Sequence, residues 1–163
     1  MPQSPATSPT TSPAAAPAPA GAVDRLVAAT NAHDLDALVA CFAEDYVLAD
    51  PIHPSRGFTG RAQVRRNWAT IFAGVPDVVL TVLARAEAVR PDDPATTDVW
   101  LEMATTGTRR DGAPHELVGV MVFGVRHGVV ASGRFFLGPV DRSTVDADAA
   151  VRSAVTPVAA PTG

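Results

Sequence analysis

The 163-residue chain contains no lysine; all 13 of its basic residues are arginine. Without lysine there is no Schiff base and no P-loop lysine. That excludes pyridoxal enzymes, lysine-type aldolases and Walker-type nucleotide hydrolases. Cysteine is almost absent as well. Cys41 alone allows no internal disulfide and no cysteine-built metal cluster, so nothing requires an oxidising compartment, and a cytoplasmic location is expected. Basic charge is scarce, with 13 basic against 17 acidic groups and a net charge of −4, which argues against a nucleic-acid partner. The longest apolar run, Leu117 to Val125, is about half of what a bilayer crossing needs, so no membrane span is expected. Four scattered histidines without His-x-His or His-x-x-x-His spacing build no metal site. Neither a Gly-x-Ser-x-Gly elbow nor a Gly-x-Gly-x-x-Gly loop is present, and no cofactor is expected.

What is present divides into one domain and two tails. The first 20 positions hold six prolines and six alanines and no charged side chain. Such a stretch buries too little surface to offset its ordering entropy, and its prolines interrupt any signal-peptide core. Residues 142–163 lack the spacing of a packed element. We therefore expect disordered tails at 1–21 and 142–163 and a folded unit at 22–141.

Inside that unit the hydrophobic period changes once. Val23, Leu26, Val27 and Thr30 sit at helical spacing, and Asn31-Ala32-His33 makes a break. Asp34 is a good N-cap for a second helix carrying Leu35, Leu38, Val39 and Phe42. A third helix opens near Thr59-Gly60, puts Val64, Trp68, Ile71 and Phe72 on one face, and stops near Gly74-Val75-Pro76. Strand patterns follow: Val78 to Val89, Thr97 to Thr106, His115 to Val125 and Val129 to Leu137. They are separated by turn signals at Arg90–Pro94, Arg109–Gly112 and Arg126–Gly128. Helices first and hairpin-linked strands after is an α+β plan. It predicts a curved antiparallel sheet with the N-terminal helices packed on its concave face.

The run from Leu26 to Leu38, followed by Phe42-Ala43-Glu44-Asp45 and Asp50-Pro51, resembles the start of the nuclear transport factor 2-like superfamily. It is closest to the ketosteroid isomerase and SnoaL-like polyketide cyclase branch. Gly57-Phe58-Thr59-Gly60 and Gly133-Arg134-Phe135-Phe136 fit the same pattern, and the resemblance covers about residues 22–141. It implies a cone-shaped sheet around a pocket, an apolar small-molecule ligand and a homodimer through the outer sheet face. It also implies a general base at Asp50, within the Asp-Pro step. The two oxyanion donors of ketosteroid isomerase fall at Leu26 and near Met121, whose side chains donate nothing. One such donor is typically worth roughly 2.7–4 kcal/mol, so ketosteroid isomerase activity proper is not expected.

Asp50, between apolar Leu48-Ala49 and Pro51-Ile52, suits proton transfer if desolvated; the plainer reading is a turn carboxylate bonded to nearby amides. His53 follows on the same loop and could act as a second acid or base, or simply be solvated. Tyr46, the sole tyrosine, shares two-residue parity with Asp50 and could donate a hydroxyl. The expected pocket wall is Leu26, Trp68, Phe72, Val99, Leu101, Met103, Met121, Phe123, Phe135 and Leu137, with Asn67 and His115 as polar contacts. Alternation places Trp100, Glu102, Arg134 and Phe136 on the opposite face, where an Arg134–Glu102 pair is a structural possibility. Two functions remain open. One is a cofactor-independent acid–base isomerase or cyclase on an apolar, polyketide- or steroid-like carbonyl compound. The other is a non-catalytic ligand-binding or dimerisation domain.

Overall fold

A computed structural model describes residues 19–155. Helix α1 (Pro19–Asn31) leads into α2 (Leu35–Ala40), strand β1 (Phe42–Ala49), a 3-10 turn (Pro54–Arg56), strand β2 (Phe58–Thr59) and helix α3 (Arg61–Gly74). Four long strands follow: β3 (Val79–Arg90), β4 (Asp93–Thr108), β5 (Pro114–Arg126) and β6 (Val129–Pro139), then helix α4 (Ala147–Val155). No helix among the described residues is long and apolar enough to cross a membrane.

The strands form one curved sheet in the order β2-β1-β6-β5-β4-β3. β3 to β6 are an antiparallel meander, as the turn signals require. The expectation of a wholly antiparallel sheet needs correction, because β1 runs parallel to β6. Chain order explains this. β1 is laid down before α3 and the meander, and a connection that long lets the last strand return alongside it in the same direction.

Helix α1 turns Ala22, Val23, Leu26, Ala29 and Thr30 inward onto the sheet, all at helical spacing and all buried. Its last residue, Asn31, behaves like an extra strand position. The Asn31 amide donates to the Leu80 carbonyl at 3.0 Å, and its oxygen accepts from the Leu80 N–H at 2.8 Å. This fastens α1 to β3, the open edge of the sheet. His33 then adopts a left-handed φ of 55°, and its ring stacks on Phe72 with 4.9 Å between centroids. A ring nitrogen lies 2.8 Å from the Val78 carbonyl, so this turn histidine is exposed but held.

Asp34 caps α2 through the Ala37 N–H at 2.9 Å. The helix stops at Ala40, so Phe42 begins a strand and does not continue the helix as its i+7 spacing suggested. β4 supplies Val99, Leu101 and Met103 to the core, each without exposure, and β5 supplies Met121, Phe123 and Val125. The alternate residues face out. Trp100 stands opposite Val122, which stands opposite Arg134. Arg134 pairs there with Asp98 at 3.0 Å, not with Glu102. Glu102 and Asp98 each lie one same-face row from Trp100, on opposite sides; the Glu102 row holds Val120 and Phe136, whereas the Asp98 row holds small Gly124 and Ser132 and receives Arg90.

The segment expected to be a C-terminal tail contains α4, which has no buried residue. The rest of both tails, residues 1–18 and 156–163, lies outside the described residues. At the front, the folded unit reaches back to Pro19.

Candidate active site

The helix α3 face and the inner face of the meander enclose a cavity of about 270 Å³. Its wall is mostly apolar: Trp68 and Ile71 from α3, Val78 just before β3 and Leu80 within it, Leu117 and Met121 from β5, and Phe135 and Leu137 from β6. The periods of the elements produce this lining. Trp68 and Ile71 are three apart on a helix, while Leu117 with Met121 and Phe135 with Leu137 keep strand parity. Four polar residues complete the wall, Asp50, Arg56, Thr105 and His115. The size is near the lower end of the ~300–1,000 Å³ usual for small-molecule sites, and the mixture of surfaces is that of such sites.

Asp50 follows the last residue of β1, where the chain leaves the sheet through Pro51. Its Oδ1 accepts from the Ile52 N–H at 3.1 Å and the His53 N–H at 2.8 Å. This is the local turn that Asp favours, and it fixes the carboxyl group's orientation. Oδ2 lies 3.6 Å from His53 Nδ1. The Asp50 side chain is 16% exposed and that of His53 44% exposed. One carboxylate oxygen is thus held by backbone amides while the other faces only a partly solvated imidazole. On the far wall, His115 Nε2 and the Thr105 hydroxyl are 3.5 Å apart.

A second, smaller hollow of about 100 Å³ adjoins the first and shares Trp68, Ile71 and Phe135 with it. Tyr46 and Asn67 line this hollow. Tyr46 is 1% exposed, packed edge-on to Phe42 at 4.8 Å, and burial pushes its hydroxyl pKa far upward, so the group stays protonated. Its hydroxyl lies against Gly133, where any Cβ would collide with it. Asn67 accepts from the Gln63 amide at 2.7 Å.

The expected site residues therefore divide. Asp50, Trp68, His115, Met121, Phe135 and Leu137 come together around the larger cavity. Tyr46 and Asn67 line the neighbouring hollow, and His53 stands beside Asp50 without lining either space. Leu26, Phe72, Val99, Leu101, Met103 and Phe123 line neither space: they pack into the core or against it. Phe123, for instance, meets Phe135 edge-on at 6.1 Å and so backs the cavity wall. The expected site left out apolar Ile71, Val78, Leu80 and Leu117, and among polar lining residues it left out Arg56 and Thr105. Thr105 shares the parity of Leu101 and Met103, a usable signal; Arg56 sits in an irregular loop and offered none.

The SnoaL-like domain family matches residues 23–133. No curated protein matches the chain. Among solved structures, a protein of ketosteroid isomerase-like fold from Catenulispora acidiphila, in complex with trimethylamine, is 22% identical. It aligns with a TM-score of 0.58 over 83% of this chain and 97% of that one. A conserved protein from Planctomyces limnophilus is 17% identical, with a TM-score of 0.62 over 73% and 92%. A Mycobacterium tuberculosis protein in complex with estradiol-17beta-hemisuccinate is 18% identical, with a TM-score of 0.59 over 71% and 89%. At these identities the likeness concerns the fold.

Proposed function

Because the chain belongs to the SnoaL-like domain family, we propose that its cavity binds an apolar carbonyl compound and that Asp50 moves a proton on it. The observation that carries this reading is the placement of one oriented, mostly buried carboxylate in the wall of an otherwise greasy cavity. With Oδ1 held by two amides, Oδ2 is the oxygen free to accept a proton α to a carbonyl, as an isomerase or cyclase requires. His115 takes the part of hydrogen-bond donor to the developing enolate oxygen, the role that Leu26 and Met121 cannot fill. His53 stands beside the Asp50 carboxylate at 3.6 Å, outside the cavity, and Tyr46 shapes the adjoining hollow with a neutral hydroxyl. The steroid complex of the Mycobacterium tuberculosis neighbour supports an apolar small molecule as the kind of ligand. The test is α-proton exchange on a ketone by wild type and Asp50→Asn.

One observation favours a second reading. The two amide bonds to Oδ1 are what a purely structural turn carboxylate would make, and in that case the domain binds its ligand without transforming it.

Assembly follows from the other face of the sheet. Val47, Val118 and Phe136 are each more than a third exposed there, beside Trp100. A two-fold homodimer would cover them in one isologous contact.

A further inference from the structure

All thirteen arginines lie among the described residues, and twelve are engaged. Eight face a carboxylate. Arg25, Arg66 and Arg110 donate to carbonyl or amide oxygens, and Arg152 has a partner as well. The Arg56 backbone N–H donates to the His53 carbonyl, but its guanidinium makes no hydrogen bond or ion pair with any described residue. It is also the arginine that lines the cavity between α3 and the meander.

The coincidence has a chemical meaning. Arg56 closes the 3-10 turn that follows Asp50, so both side chains reach the same cavity from one loop, yet no ion pair joins them. Asp50 Oδ1 is held instead by the Ile52 and His53 amides, and the His53 ring, not Arg56, stands nearest Oδ2 at 3.6 Å. An incoming anion therefore has no internal carboxylate to displace. A guanidinium presents parallel N–H groups whose spacing matches the two oxygens of a carboxylate. A doubly charged phosphate fits less well, because one cation would have to balance it in the presence of Asp50. The remaining wall, with Trp68, Leu117 and Phe135, is mostly apolar, its other polar groups being Thr105 and His115, neither of them a fixed cation.

Resting on the reading of this cavity as a small-molecule site, we propose that its ligand is an apolar carboxylic acid. Its carboxylate lies on Arg56 at the cavity lip and its ring or chain lies along Trp68 and Phe135. Arg56 sets specificity by charge and takes no part in proton transfer.

The probes are 4-phenylbutyrate and its neutral counterpart 4-phenylbutanamide, titrated into the full chain while the Trp68 indole N–H is followed by NMR. Arg56 is exposed, so Arg56→Gln leaves the core untouched. Wild type is expected to bind the acid about tenfold more tightly than the amide, the scale of one charge-assisted hydrogen bond at a partly solvated site. Arg56→Gln removes the preference, weakening acid binding about tenfold more than amide binding. Arg56→Lys keeps part of it, and Arg66→Gln, with the same change in net charge on the outer side of α3, keeps all of it. Equal binding of acid and amide by wild type, or a preference that survives in Arg56→Gln, overturns the proposal while the cavity reading stands. If neither compound shifts Trp68, the cavity reading fails and the proposal fails with it.

Discussion

Asp98 holds Arg134 at 3.0 Å across the outer face of the sheet, and its other oxygen holds Arg90 at 2.5 Å. One carboxylate, 7% exposed, thereby ties β4 to β6 and to the end of β3, with the Ser132 hydroxyl accepting from Arg90 at 3.2 Å. Removing it leaves two guanidinium groups facing each other over a partly buried floor. Asp98→Ala is expected to lower stability by about 1–3 kcal/mol, less than a fully buried pair would cost because both arginines reach solvent. Chemical denaturation of wild type and variant checks this, and an unchanged midpoint would show that the bridge is ornamental.

The same face is the proposed contact between two copies. Trp100 lies at its centre, aligned with Ala86 and Val122. Wild type should sediment as a dimer at micromolar concentration, and Trp100→Glu should shift it towards monomer by setting a charge in the apolar contact. A wild type that sediments as a monomer would remove the proposal that this face pairs.

Acid stability carries a signature of Asp77. Its Oδ1 accepts from the Thr108 N–H at 2.6 Å, a bond that lowers the carboxyl pKa and ties the start of the meander to the end of β4. A depressed carboxylate stabilises the fold above its unfolded value of about 3.9, and that contribution is lost as pH falls through the lower folded value. Asp77→Asn should therefore be less stable than wild type at neutral pH, with the difference closing below about pH 4. Thermal melts across pH 2–7 would reveal it; a gap that widens in acid would contradict the assignment.

The domain is proposed to be complete without its ends. α4 buries nothing, and the core begins at Ala22. A chain cut to residues 19–141 should still unfold in one cooperative step, as followed by circular dichroism. Loss of cooperativity would mean that the boundaries are misplaced.

Much of this architecture was written in local patterns. The Asp34 cap, the α3 stripe of Val64, Trp68 and Ile71, and the turns at Arg90–Pro94 and Arg126–Gly128 are short-range features, and each appears where its chemistry indicates. β1 was not legible as a strand. Phe42 lies seven residues after Leu35, which continues the helical spacing of α2, and what makes the segment extended is pairing with β6, some ninety residues away in sequence. The wall of the cavity was half legible for a related reason. Strand parity separates inside from outside, but it does not separate Met103, at the packed centre, from Thr105, two residues nearer the opening. Arg56 lies beyond any periodic argument, since only the folded loop shows that it reaches the cavity and that no described residue answers its charge.

The central claim concerns Asp50, and α-proton exchange of 2-tetralone in deuterium oxide, followed by NMR, tests it most directly. Asparagine keeps the oxygen that receives the Ile52 and His53 amides, so Asp50→Asn should melt close to wild type. Wild type is expected to accelerate exchange above buffer, and Asp50→Asn to lose about 10²–10⁴-fold of that acceleration, the usual worth of a general base. An Asp50→Asn protein that exchanges the ketone as fast as wild type would contradict the account. So would a wild type that binds the ketone without accelerating exchange, and the carboxylate would then be a turn residue.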